Sequence, residues 1–251
     1  MTELESYLLS ITQVTSLEIL WDMHQRRMAT YGFDCILYAA TRLRTKNGMG
    51  DVRDALILST YPDDFNAEYL DGGLFRDAPM VRWAMSNVGS RSWSEIAADY
   101  QEGRLTAGER RVCEFNRRHG IVAGYGISFP RTSERSGHGI GLAARNMTQA
   151  GVDELWSRKG QEIELLNLVT HLTILSLPYG THGRPLTARQ REVLELVADG
   201  KTVQDVAHVL GRNPATIEKH LRLAREALDV DTTAQAILKA SVQNQFYRYE
   251  A

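Results

Sequence analysis

Cysteine is nearly absent from this chain. Cys35 and Cys113 are the only two, too few for a disulfide framework and in keeping with a reducing cytoplasm. No apolar run approaches the length needed to span a bilayer. The opening residues, Met1 to Glu5, lack the basic region and apolar stretch of a secretory signal. An excess of one charge is missing too: 29 Lys and Arg stand against 31 Asp and Glu. Any surface suited to a polyanion must therefore be local. The histidines show no metal-ligand spacing, and there is neither a nucleophile elbow nor a dinucleotide fingerprint. Gly124-Tyr125-Gly126 is too slight for a phosphate loop. Internal repeats and low-complexity tracts are lacking as well. A cytoplasmic protein that is not an enzyme, with no metal or cofactor, is the expectation.

What is present suits a globular chain. Its 251 residues are 43% hydrophobic and 24% charged, enough for one large domain or two modest ones. Residues 2–31 carry helical stripes, Leu4, Tyr7, Leu8 and Ile11 first, then Leu17, Leu20, Trp21 and Met28 after a Thr15-Ser16 cap. Segments 33–43 and 55–61 are short, apolar and bounded by turn residues, so they read as strands, with 46–50 as a hairpin connection. Short helices are predicted at 62–71 and 78–87, separated by Gly72-Gly73, and an amphipathic helix at 105–119. Residues 124–130 and 139–144 read as two more strands, joined by a polar loop at 131–138. The longest helical pattern spans 148–177, and 178–184 has the Pro, Gly and polar composition of a linker. The predicted fold class is α+β: an N-terminal α/β/α sandwich over 1–177, a linker at 178–184, and an all-α helix-turn-helix domain over 185–251.

The C-terminal third is the most sharply punctuated. Thr187 with Gln190 makes a capping box, Val193, Leu194 and Val197 follow at helical spacing, and Gly200 ends the run. Thr202 with Asp205 opens a second helix that stops at Gly211. Asn213 and Pro214 open a third, with Ile217, Leu221 and Leu228 on its apolar face. Arg212, Lys219, Arg222 and Arg225 are set there against Glu218 alone, a local concentration of positive charge suited to phosphate neutralisation. Two helices joined by a tight Gly-containing turn form the unit whose second helix enters the DNA major groove. Thr216, Lys219, His220, Arg222 and Arg225 are the candidate DNA contacts.

The pattern Thr187-x-Arg189-x-x-Glu192-Val193-Leu194, with Ala198, Gly200, Ala207, Leu210, Gly211, Thr216, Ile217, Lys219 and His220, resembles the LuxR-type helix-turn-helix. In that family the module ends a chain whose front part senses a small molecule or receives a phosphoryl group. A receiver would show βαβ units with acidic strand ends, whereas this chain opens on helices and pairs its strands in hairpins. The stretch 61–93 is instead similar to the autoinducer-binding domain of LuxR-type regulators, which sense N-acyl-homoserine lactones. Tyr61-Pro62, Phe65, Tyr69, Ala78-Pro79 and Trp93 fall at the spacing of the family's Tyr-Pro, Trp, Tyr, Asp-Pro and Trp. Residues 126–130 look like the family's Gly-Ile-x-x-Pro strand.

The resemblance implies that Tyr61 donates its hydroxyl to a ligand carbonyl and that Tyr69 and Trp93 wall the site. Leu37, Ala39 and Val81 are candidate contacts to an acyl tail. Without the spacing match these aromatics would read as plain core. Two positions depart from the pattern. Phe65 stands where the family's indole donates to the lactone carbonyl, and phenyl has no donor. Ala78 replaces the carboxylate that accepts the ligand amide N–H; Asp77 substitutes for it only on a shift of backbone register. The resemblance further implies a homodimer, formed through the helix at 148–177 and a last helix at 233–244, that binds a pseudo-palindrome. Its expected partners are double-stranded DNA, a small-molecule autoinducer, a second copy of the chain and RNA polymerase. An orphan regulator of the same type, answering another signal or none, is the alternative. An enzyme with a DNA-binding tail is a distant third.

Overall fold

A computed structural model of the chain describes residues 1–41, 54–131, 133–180 and 185–246. The expected hairpin connection at 46–50 lies outside them, as do most of the linker and the final five residues. The chain divides into two compact units, 1–175 and 176–251.

The first unit opens with α1 (Glu3–Thr12) and α2 (Leu17–Ala29). Thr2 and Glu5 form a reciprocal capping box on α1, and Ser16 caps α2 by accepting from the Ile19 N–H. The sheet holds β1 (Cys35–Thr41), β2 (Leu56–Ser59), β3 (Gly89–Ser92), β4 (Gly124–Ser128) and β5 (Gly137–Ala143). Its order is β2-β1-β5-β4-β3, with every neighbouring pair antiparallel. Between β2 and β3 run α3 (Asp63–Asn66), a π turn (Ala67–Asp71), a 3-10 turn (Leu74–Asp77) and α4 (Pro79–Ala84). Next come α5 (Ser94–Gln101) and α6 (Ala107–Arg118); α7 (Gln149–Ser176) follows the sheet.

Alternation along β1 and β5 sorts residues to the two faces of the sheet. Tyr38 pairs with Ile140 and turns toward α7, where its hydroxyl is 2.9 Å from Nδ1 of His171. Leu37 and Ala39 pair with Gly141 and Gly139 and face the other way, toward α3 to α6. The result is the predicted α/β/α arrangement.

On the α7 face, hydrogen bonds hold a buried histidine in place. His24 lies between Thr170 Oγ1 and Asn167 Oδ1, each 3.0 Å away. Asn167 donates its amide to the Ile163 carbonyl, so its oxygen accepts from Nε2–H of His24, and the Thr170 hydroxyl donates to Nδ1. His24 is thereby fixed as a neutral ring, and burial pushes its pKa down to about 4. His171, stacked on Phe129 at 4.2 Å, is pushed down to about 3 by burial and by neighbouring His138.

Several boundaries differ from the sequence reading. β1 starts at Cys35, not Phe33, because Asp34 turns aside to accept from the Arg145 backbone N–H and Nε at 2.9 and 2.8 Å. β2 stops at Ser59. The helix expected at 62–71 is four α residues followed by a π turn. The one expected at 78–87 is shorter, because Ala78 is extended and Pro79 starts the helix. β3 and α5 were not anticipated at all.

In the second unit, α8 (Ala188–Ala198), α9 (Val203–Val209), α10 (Pro214–Leu228) and α11 (Thr233–Val242) enclose their own core. Val193, Leu194, Val206, Ile217, Ala224, Ala236 and Ala240 are its innermost members. The segment expected as linker is anchored at its start: the Tyr179 N–H donates to the Gln243 carbonyl at 3.0 Å, and Asn244 to the Leu177 carbonyl at 3.0 Å.

Candidate functional site

A cavity of about 300 Å³ lies on the sheet face away from α7, bounded by α3 to α6. It is the size expected at the small end of ligand sites. Leu37, Ala39, Tyr61, Phe65 and Tyr69 line it, together with Ala78, Val81 and Trp93. The structure thus brings every sequence-predicted ligand residue to one enclosure.

Its aromatic end follows from helical spacing. Tyr61, Phe65 and Tyr69 recur every four residues through α3 and the π turn, so their rings form a ladder. The Tyr61 and Phe65 centroids are 4.4 Å apart and those of Phe65 and Tyr69 5.2 Å. Phe115 on α6 closes on Phe65 at 4.8 Å, with His119 edge-on at 5.3 Å. Phe65 is 2% exposed and takes part in this cluster through ring contacts alone. Burial holds the Tyr61 and Tyr69 phenols well above their ordinary pKa, so both stay protonated and able to donate.

Trp93 stands just after β3, where its backbone N–H donates to the Gly124 carbonyl at 3.1 Å. Its six-membered ring lies against Gly124, at a place a Cβ would contact at 3.0 Å. Gln149 secures this corner by accepting from the Gly124 N–H at 2.9 Å and donating to Asp153 at 2.9 Å and Ser92 Oγ at 3.0 Å. The indole Nε1 is buried without a hydrogen-bond partner, and so is Oδ1 of Asn116 on α6.

The floor is unusually bare. Gly139 and Gly141 on β5 face the cavity beside Ala39 and Leu37, and Met80 covers Gly126 on β4. A Cβ at Gly141 would meet only the Leu37 carbonyl oxygen, 4.0 Å away. No Asp or Glu lines the cavity among the described residues. Asp77 does not stand in for the missing carboxylate. It lies over Gly108 and accepts from Arg111 at 3.1 Å, on the outer side of α6. Sequence reasoning missed Met80, Asn116 and the glycine floor. The amphipathic pattern of α6 was the available signal for Asn116, since it lies one turn beyond inward-facing Val112.

The basic helix can be built in the same way. Thr202 and Asp205 box the start of α9, and Gly211 takes φ +60 in the turn. Asn213 Oδ1 then accepts from the Thr216 N–H at 2.8 Å and its hydroxyl at 2.9 Å, starting α10. Ile217, Leu221, Ala224 and Leu228 are buried along one stripe, which leaves Lys219 and Arg222 on the outward side. Arg222 is ion-paired with Glu226 one turn on. Arg225 is half-buried and donates to Thr233 Oγ1 at 3.0 Å, so it also braces the start of α11. Of the five candidate contacts, Thr216, Arg222 and Arg225 therefore already have structural partners, and His220 is half-buried.

Comparison with known proteins settles the family. The family model of the autoinducer binding domain matches residues 16–174, and that of the bacterial regulatory proteins of the luxR family matches 184–240. The chain belongs to the luxR family of bacterial regulatory proteins. Transcriptional activator protein LuxR of Aliivibrio fischeri is 25% identical over 74% of this chain and 73% of its own. Transcriptional activator protein AnoR of Acinetobacter nosocomialis is 22% identical over 94% and 95%. In fold, the chain is similar to Escherichia coli SdiA, with a TM-score of 0.54 at 14% identity over 98% of each chain. It is also similar to CepR2 of Burkholderia cenocepacia, an N-acylhomoserine lactone dependent LuxR family factor, with a TM-score of 0.52 at 16% identity over 68% and 92%. This LuxR-family chain is a quorum-sensing transcriptional regulator with an autoinducer-binding domain and a DNA-binding domain. Among its described residues no helix is long and apolar enough to cross a membrane.

Proposed function

We propose that the cavity of the first unit binds an N-acyl-homoserine lactone and that the chain, as a homodimer, presents two α10 helices to a pseudo-palindromic promoter site. The carrying observation is the convergence of Tyr61, Tyr69, Trp93 and the bare glycine floor on one enclosure within the autoinducer-binding domain. A slim acyl chain suits a floor without side chains, and a buried amide needs a few placed polar groups amid apolar walls. Ligand binding would stabilise this domain because an empty cavity leaves its lining without partner atoms. Dimerisation through α7 and α11 is supported by apolar side chains left outside: Leu165 and Leu172 are 41% and 57% exposed, and Leu238 is 59% exposed. RNA polymerase is the partner expected downstream of promoter binding.

Thermal unfolding of the full chain with N-acyl-homoserine lactones of increasing length tests this reading. A rise in Tm peaking at one length is expected; no rise at any length overturns it. A second reading, a signal of other chemistry, is favoured by one observation, the lack of any carboxylate on the cavity wall among the described residues. Mass spectrometry of small molecules retained after expression separates the two.

A further inference from the structure

We infer that the indole Nε1 of Trp93 and the side-chain oxygen of Asn116 form the polar recognition pair of the cavity, taking a ligand carbonyl and a ligand N–H respectively. The inference rests on the reading of the cavity as the lactone site. Its ground is a pair of unmet needs. An orphaned buried donor or acceptor is rare in a folded protein, and each one calls for a partner. Trp93 Nε1 and Asn116 Oδ1 are two such atoms, and both residues line the same cavity.

They also supply what Phe65 and Ala78 do not. Phe65 has no donor, and Ala78 no acceptor beyond its backbone. Asp77 is committed to Arg111 on the far side of α6. Trp93 packs against the cluster that holds Tyr61 and Phe65, so its N–H serves the end of the cavity where the missing donor belongs. Asn116 stands one helical turn beyond Val112 on α6, and both line the cavity. The polar head of the ligand is therefore held from β3 and α6 rather than from α3 and α4. An uncharged acceptor in place of a carboxylate selects a neutral N–H or O–H donor and gives no advantage to a cation.

The experiment is calorimetric titration of the full chain with N-octanoyl-homoserine lactone and two analogues. In one the amide N–H is replaced by an ester oxygen. In the other, N-(tetrahydrofuran-3-yl)octanamide, the lactone carbonyl is missing. Trp93→Phe is expected to bind the lactone roughly tenfold more weakly, yet to match the wild type on the tetrahydrofuran amide. Asn116→Leu is expected to lose a similar factor on both amides and nothing on the ester. Asn116→Ala carries the same comparison should Asn116→Leu fail to fold by circular dichroism. Losses equal across all three ligands, or no losses, overturn the pairing while leaving the lactone reading in place. If the wild type binds none of a chain-length series, the lactone reading and this inference fall together.

Discussion

Gly141 offers the sharpest test of whether the enclosure is a ligand site or a packing fault. It lies in mid-strand between Leu37 and Gly126, and an added Cβ would meet nothing closer than 4.0 Å. Its φ is not in the left-handed region, so an L side chain is tolerated. Glycine in a strand interior costs about 0.5–1 kcal/mol relative to alanine. Gly141→Ala should therefore stabilise the unliganded protein by about that amount, raising Tm by about 1–4 °C for a unit of this size. Gly141→Val should keep the gain but occupy the floor on which an acyl chain would lie. Overpacking of a filled site costs about 1–3 kcal/mol, which is roughly 5- to 150-fold in affinity. At a lactone concentration one hundred times the wild-type Kd, ligand stabilises by about 2.7 kcal/mol; a thirtyfold loss of affinity leaves about 0.9. Differential scanning fluorimetry with and without lactone reads both effects. Gly139→Ala is the control, because its Cβ would press the Ile127 carbonyl at 3.1 Å and should give no such gain. An unliganded Gly141→Ala protein that melts lower refutes the open floor. A Gly141→Val protein with its lactone response intact refutes the ligand site.

The buried histidines set a pH dependence. His24 and His171 have pKa values depressed to about 4 and about 3, whereas an unfolded chain titrates them near 6.5. The unfolded state therefore binds more protons as the pH falls below about 6.5, and stability present above that pH is lost. Between pH 7 and 5 each should cost about 2 kcal/mol; chemical denaturation at the two pH values measures it, and a flat profile contradicts the neutral assignment. In the DNA module, Lys219→Ala should weaken binding in a mobility-shift assay and lower the salt slope by about one per copy, with lactone binding unchanged. Arg225→Ala should lower both DNA affinity and Tm, because it also removes the bond to Thr233; an unchanged Tm would leave that brace without weight. Asn213→Ala should cost the second unit about 1 kcal/mol through loss of the α10 cap, read by thermal melting.

Legibility in the sequence tracked how local the determinant was. The second unit could be read nearly to the residue because its boundaries are set by side chains acting on backbone three positions away. Thr187 and Gln190, Thr202 and Asp205, and Asn213 and Thr216 all hydrogen-bond as their spacing requires. β3 left no such trace. Gly-Ser-Arg-Ser has little strand propensity, and it is held by a partner strand more than thirty residues away and by Ser92 reaching Asp153 on α7 at 2.6 Å. α5, which begins on its heels, was missed with it. The cavity lining is of mixed legibility for the same reason. Tyr61, Phe65 and Tyr69 share a helical face and can be grouped from spacing. Gly141, Asn116 and Met80 meet only because three separate elements converge.

The two faces of the sheet divide the work of the first unit. Toward α7 several buried polar groups are matched: Tyr38 with His171, and His24 with Thr170 and Asn167. That face can contribute its full stability with the cavity empty. Toward α3 to α6 the sheet offers glycine, a void and two orphaned polar atoms. Each is a deficit that a molecule with an apolar tail and a carbonyl beside an N–H would make good. Binding free energy then falls chiefly on the short elements between β2 and β4, none of which could fold alone. A domain whose sheet is packed on one face and lined by a void on the other has the makings of a ligand-set switch: the ligand adds stability where the chain left it out.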